Sequence, residues 1–425
     1  MSFIVKSHYS ISRRFIESPV DSGNTVDECT YFLYGHSMQN TLEDKMERKA
    51  KLEEIEALRG VAFLAVVLQH AIGGLFAQPG LSSLSVSLGT TFLGLIRFAV
   101  PLFVFITGVV LFYNYDRSFQ YGRFLKKRGQ QVVLPYLFWT LFYYAWVSVR
   151  SGGAIIGDWG DLLHVLELAF TGKASYHLWF MVMIIPFYLL FPVFRLLLAG
   201  KRPASVNLSV TIGFLVANLI LVYALSKGYF QSDQPILQTL YRYLDRNFLF
   251  WTFYFVLGGF AGLYYERWKK AMQSLWGVSL AITVLFLIYI GTKIWGINQG
   301  AAAGDYLTSS YVTGPLKPLM IVATLAMLPV LFYTIQRLTS KPTKMGFVLT
   351  VIGKYSFGAY LVHAFILRYT NLLALNVLGN LGVYTQTLIS FILCACISVG
   401  LGIGFRRIRN RWRKARVGVD RGIAG

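Results

Sequence analysis

Leu58 to His70 reads LRGVAFLAVVLQH, an arginine and a histidine bracketing ten residues that are almost all apolar, within a run long enough to enter a bilayer. Ionisable groups are costly in hydrocarbon, so a segment that keeps two of them invites a functional reading. They stand eleven positions apart, which at 100° per residue returns them to within about 20° of one helix face and about 16.5 Å apart along the axis. One face thus carries a cation at one end and an imidazole far up the span.

The rest of the chain supports the membrane reading. Of 425 residues 55% are hydrophobic and 14% charged, with mean hydropathy +0.54, a balance foreign to a water-soluble domain. Apolar runs long enough to cross about 30 Å of hydrocarbon occur near 58–77, 88–114, 132–149, 177–198, 207–226, 248–265, 274–296, 316–336, 349–371 and 383–405. The expected fold is all-α, a polytopic membrane protein of about ten transmembrane helices. Residues 1–45 form a polar extension expected to be disordered, 46–405 the membrane domain and 406–425 a basic tail.

Lysine and arginine set the orientation. Alternate loops on one side hold fourteen of them, including Lys126, Lys127 and Arg128, whereas the opposite loops hold five: Arg150, Lys173, Lys227, Arg242 and Arg246. Short cytoplasmic loops carry the excess, so both termini are expected inside. The net charge of +21 is explained by this topology, and no nucleic-acid partner is expected. Cys394 and Cys396 point about 200° apart on a helix, which suggests neither a bridge nor a metal pair. Gly258 with Gly262, and Gly400 with Gly404, have the small-residue spacing of close helix contacts.

Other ionisable residues fall at the level of His70. His363, in YSFGAYLVHAFIL, lies about 12 Å below the outer edge, and Arg97, in FLGLIRFAVPLFVFITG, about 13 Å. All 19 Asp and Glu residues fall in termini, loops or span ends. Arg97 therefore needs an acceptor other than a mid-membrane carboxylate. His177, beside Tyr176 and Trp179, is expected at the outer interface, and His164 on a surface loop.

These residues resemble the acyltransferase 3 family, ten-span membrane enzymes that modify glycans and other exported molecules. Its defining signal, Arg followed by ten residues and His in the first span, is matched by Arg59 and His70. RFAVPLFVFITG, HLWF at His177 to Phe180, YFVLGGFAGLYYER at Tyr254 to Arg267 and YSFGAYLVH at Tyr355 to His363 follow in family order over about residues 52–410. KKRGQQVVLP departs from the family's basic Arg-x-x-Arg pattern, because Gln131 occupies the later position. RFLKKRGQQVVLPYLFWTLFYYA is closest to the exopolysaccharide-modifying or secreting branch of Gram-positive bacteria.

The resemblance implies a multi-pass enzyme of the bacterial cell membrane that moves an acyl group, acetyl or succinyl, from cytoplasmic acyl-CoA to a hydroxyl of an exported glycan. No bound cofactor or metal is implied, and glycan-synthesis proteins are the expected partners. His70, Arg59 and His363 are the catalytic candidates. Arg97, Tyr355, Ser356, His177 and Trp179 are candidates for the oxyanion or acceptor site, and Lys126, Lys127 and Arg128 for the donor phosphates. The other readings are an exporter without acyl-transfer chemistry and a non-catalytic subunit of a glycan synthase.

Overall fold

The computed structural model describes residues 52–422 apart from 116–118, 153–156, 232, 235–237, 239–242 and 300–303, with side chains up to residue 408. The 1–45 extension, Arg242 and the side chains of most of the basic tail lie outside the described residues. Those described are helical or irregular, with no strand among them. Among the described residues eight helices are long and apolar enough to cross a membrane, and a bent pair makes a ninth candidate span. The remaining apolar segment, Phe248–Leu263, is shorter.

The first span is α1, Glu53–Leu75. The second breaks into α2, Ser83–Ile96, and α3, Ala99–Asn114, with Arg97 at the corner. Pro101 explains the break, since it has no N–H to reach back to the Arg97 carbonyl. The corner then holds a guanidinium inside the span.

A short helix, α4 (Tyr121–Arg128), passes through a π-turn at Gly129–Val133 into α5, Leu134–Arg150. The next helix, α6 (Trp159–Thr171), runs back along α5. Tyr144 Oη donates to Asp161 Oδ1 at 3.0 Å, and two turns nearer the start of α5 Tyr136 Oη donates to the Ala169 carbonyl at 2.6 Å. The expected loop after the third span is therefore partly a helix that folds back beside it. His164 sits exposed on α6, 3.3 Å from Glu167, rather than on a loop.

The fourth span is the bent pair α7, Trp179–Leu189, and α8, Phe191–Leu197, at 58°. Pro192 near the start of α8 cannot continue the ladder of α7. Then follow α9 (Ala204–Ser226), α10 (Thr252–Leu263), α11 (Tyr265–Asn298), α12 (Tyr306–Val312), α13 (Pro318–Thr339), α14 (Lys344–Val377) and α15 (Val383–Gly422).

Glycines set two helix contacts. A Cβ on Gly353 of α14 would fall onto the Glu56 carbonyl of α1, and one on Gly60 onto that of Leu349. A Cβ on Gly258 or Gly262 of α10 would likewise meet α3 backbone at Phe105 and Val109, as the spacing predicts. Gly400 and Gly404 differ: a Cβ at either would meet open space, so that pair makes no close contact.

Candidate active site

The α1–α14 contact decides where two histidines meet. His70 lies ten residues beyond Gly60, and His363 ten beyond Gly353. Two helices running the same way from a shared glycine contact carry both imidazoles up by about 15 Å. Their ring centroids stand 5.6 Å apart at an interplanar angle of 26°.

A third imidazole reaches them from the turn between α6 and α7. Gly172 ends α6 at φ +68°, a left-handed conformation that favours glycine, and a Cβ there would press on the Trp179 backbone. The turn delivers His177 to 4.7 Å from the His363 ring, centroid to centroid, at 72°. His177 is 1% exposed and His363 0%. The interfacial expectation for His177 is thereby corrected, because the antiparallel α5–α6 pair carries this turn into the protein interior. His70 is only half-buried, and its ring also meets Tyr176 at 4.6 Å.

Hydrogen bonds fix two of the three imidazoles. His363 Nδ1 lies 2.5 Å from the Tyr360 carbonyl, which can only accept, so Nδ1 carries the proton and Nε2 presents a lone pair. That Nε2 is buried without a partner. His177 Nδ1 lies 3.1 Å from Ser175 Oγ, and its Nε2 is buried without a well-formed hydrogen bond, the Leu361 carbonyl being the backbone acceptor close to the ring. Tyr360 Oη donates to the His177 carbonyl and ties the turn to α14. His70 makes no hydrogen bond among the described residues.

Two further elements brace the site. Tyr143 of α5 donates to the Leu361 carbonyl at 3.0 Å and accepts from the Phe365 N–H at 3.2 Å, so its hydroxyl spans one rung of α14. Its ring lies 5.4 Å from His177. Gln69 Nε2 donates to the Ile96 carbonyl and joins the His70 turn to the Arg97 corner. Half-buried Arg97 is within electrostatic reach of His70 and Tyr306, and its Nε has no partner.

The other sequence candidates lie elsewhere. Arg59 Nη1 is 3.4 Å from Glu56 Oε1 near the start of α1, and the side chain is 30% exposed. Lys126 and Lys127 are exposed, whereas Arg128 lies 5.3 Å from both the Phe124 and Tyr188 rings. Ser356 donates to the Gly353 carbonyl at 2.8 Å, and Tyr355 meets Arg406 at 5.7 Å. These two are about 10 Å below His363 along α14 and are not gathered with the histidines. Trp179 packs on Trp251 at 5.8 Å. Cys394 is buried with Sγ 3.4 Å from the His363 carbonyl, while Cys396 is exposed, so the two do point apart.

Tyr143, Tyr360 and Gln69 escaped sequence reasoning, and Tyr176 entered it only as an interfacial neighbour of His177. A tyrosine in an aromatic-rich span is ordinary, and nothing local distinguishes these four. Only the partner across the helix contact identifies them.

Fold and site together define a multi-pass helical membrane protein with a cluster of acid–base side chains inside its bundle. The family model for the acyltransferase domain of the acyltransferase 3 family matches residues 52–407, and the chain belongs to that family of membrane acyltransferases of the bacterial cell membrane. A Bacillus subtilis protein provisionally named a membrane-bound acyltransferase is 26% identical over 346 residues, covering 77% of this chain and 84% of its own. A Staphylococcus aureus protein named "Probable poly-beta-1,6-N-acetyl-D-glucosamine export protein" is 24% identical over 367 residues, covering 83% and 93%. A Staphylococcus epidermidis protein of the same name is 23% identical over 366 residues, covering 83% and 92%. No solved structure matches the chain.

Proposed function

We propose that this acyltransferase moves an acyl group from cytoplasmic acyl-CoA to a hydroxyl of an exported glycan, with His70 as general base. The observation that carries this reading is the state of the three imidazoles. His70 is part-exposed and makes no hydrogen bond among the described residues, and it stands beside the buried His363, which in turn meets the buried His177. A substrate hydroxyl can reach the first, and the other two are fixed behind it.

His70 removes the proton from the acceptor hydroxyl as its oxygen attacks the thioester carbonyl carbon. The C–O bond forms, the C–S bond breaks, and the departing thiolate takes the proton from the His70 imidazolium to leave free coenzyme A. Arg97 stabilises the negative charge on the carbonyl oxygen between these steps. His363 and His177 position the His70 ring. The lysine and arginine bias of the loops supports ten spans with both termini inside, which puts Arg59 at the cytoplasmic edge where donor phosphates arrive. The glycan acceptor is supported by the names of the staphylococcal relatives.

Those same names favour a second reading, export of a polysaccharide without acyl transfer. Inside-out membrane vesicles supplied with radiolabelled acetyl-CoA and succinyl-CoA separate the two. Acyl transfer predicts label in ester linkage on the glycan, lost in His70→Ala while the protein stays inserted. Export alone predicts unlabelled glycan, accumulating on the side of synthesis when the protein is removed.

A further inference from the structure

The outward ends of α5 and α14 carry a charged cluster that the chemistry above does not use. Arg150, the last residue of α5, lies one helical turn beyond Trp146, and its guanidinium carbon is 5.6 Å from the Trp146 ring centroid. Arg368 of α14 approaches the same ring at 5.4 Å. Phe365, one turn before Arg368, lies 5.4 Å from Trp146, so the four side chains close over one seam between the helices. Both arginines are exposed, and neither meets a carboxylate among the described residues.

Two guanidiniums gathered over one indole at a membrane edge repel each other, and the repulsion grows as the local dielectric falls. Cation–π contact offsets part of it, about 0.5–1 kcal/mol for each exposed pair. An anion bound at this patch offsets the rest. Below the cations the seam is aromatic: Phe142 packs on Phe365 at 5.3 Å, and Phe138 is 62% exposed on the same helix as Trp146. A polar anionic head above an apolar chain is the chemistry that fits.

We propose that this seam seats a phosphate-bearing lipid, its phosphate between Arg150 and Arg368 astride Trp146 and its chain along Phe142, Phe365 and Phe138. Guanidinium binds phosphate through paired, charge-assisted hydrogen bonds that a head without phosphate does not match. Tyr143 links the two places, its ring 6.2 Å from Trp146 and 5.4 Å from His177, centroid to centroid. A lipid seated here therefore lies one side chain from the histidine site. The proposal rests on the orientation above only for the leaflet, the outer one. The occupant is an anionic glycerophospholipid of that leaflet, whose phosphate suits the two guanidiniums and whose acyl chain suits the exposed aromatic seam.

Native mass spectrometry of the purified full chain tests this without reading acyl transfer, so its failure leaves the proposed reaction standing and the converse also holds. The wild-type chain is expected to retain one lipid with the added mass of a glycerophospholipid, and retention of a polyprenyl phosphate in its place would overturn the assignment. Titrated phosphatidylglycerol is expected to bind at least tenfold more weakly to the exposed-site double variant Arg150→Gln/Arg368→Gln, with Arg150→Lys/Arg368→Lys between the two. Equal binding of phosphatidylglycerol by wild type and the glutamine variant would overturn the proposal. So would equal binding of phosphatidylglycerol and uncharged diacylglycerol by the wild type.

Discussion

Two parts of the molecule bring a histidine to the same place by opposite means. Along α1 and α14 a glycine contact sets the register, and His70 and His363 follow from it ten residues on. In the turn before α7, His177 arrives on a non-helical segment held by Tyr360 Oη and by the antiparallel α5–α6 pair. Rigid helix packing fixes the first pair, and a few hydrogen bonds fix the third. Substitutions should therefore act through helix separation in one region and through local loosening in the other.

The largest expected effect is on chemistry. His70→Ala is expected to lower the rate of acyl transfer by about 10² to 10⁴, the usual worth of a general base, with insertion into the membrane unchanged. Next is the helix contact. Gly353→Leu drives a side chain into the Glu56 carbonyl and should cost at least about 1–3 kcal/mol, read as a lower thermal midpoint and loss of transfer. Gly400→Ala, which meets open space inside a helix, should not destabilise the fold and is expected to add up to about 1 kcal/mol. A pair of equal shifts would break the comparison.

Smaller effects belong to the turn. Tyr360→Phe removes the bond to the His177 carbonyl and should cost about 1 kcal/mol, with a fall in rate below that of His70→Ala. The smallest concerns α6. The Gly157 N–H, 2.7 Å from Asp161 Oδ2, and the Tyr144 hydroxyl hold the Asp161 carboxyl below the usual carboxylate range. Its contribution is present above the unfolded carboxylate pKa of about 4 and is lost as pH falls through the lower folded value. Thermal melts should drop more steeply below about pH 4 for the wild type than for Asp161→Asn.

The sequence made the first region legible and left the second hidden, for a physical reason. Apolar length marks helices, and 3.6-residue geometry places Arg59 and His70 on one face and His363 at matching depth. Depth says nothing of neighbours, so the Gly60–Gly353 contact that turns depth into proximity needed the structure. His177 was misplaced because α6, amphipathic and only 13 residues long, reads as loop, and its return alongside α5 depends on Tyr136 and Tyr144 finding distant partners. Gly258 and Gly262 were read correctly from spacing. The same spacing misled at Gly400 and Gly404, since small residues permit close approach without requiring it.

The central claim is that His70 and His363 act as one unit, and a double-mutant cycle on initial rates of acyl transfer tests it most directly. Residues that work through one another give strongly non-additive losses. His70→Ala/His363→Ala is expected to be no more than a few-fold slower than His70→Ala alone. A double variant whose loss equals the product of the two single losses would contradict the account.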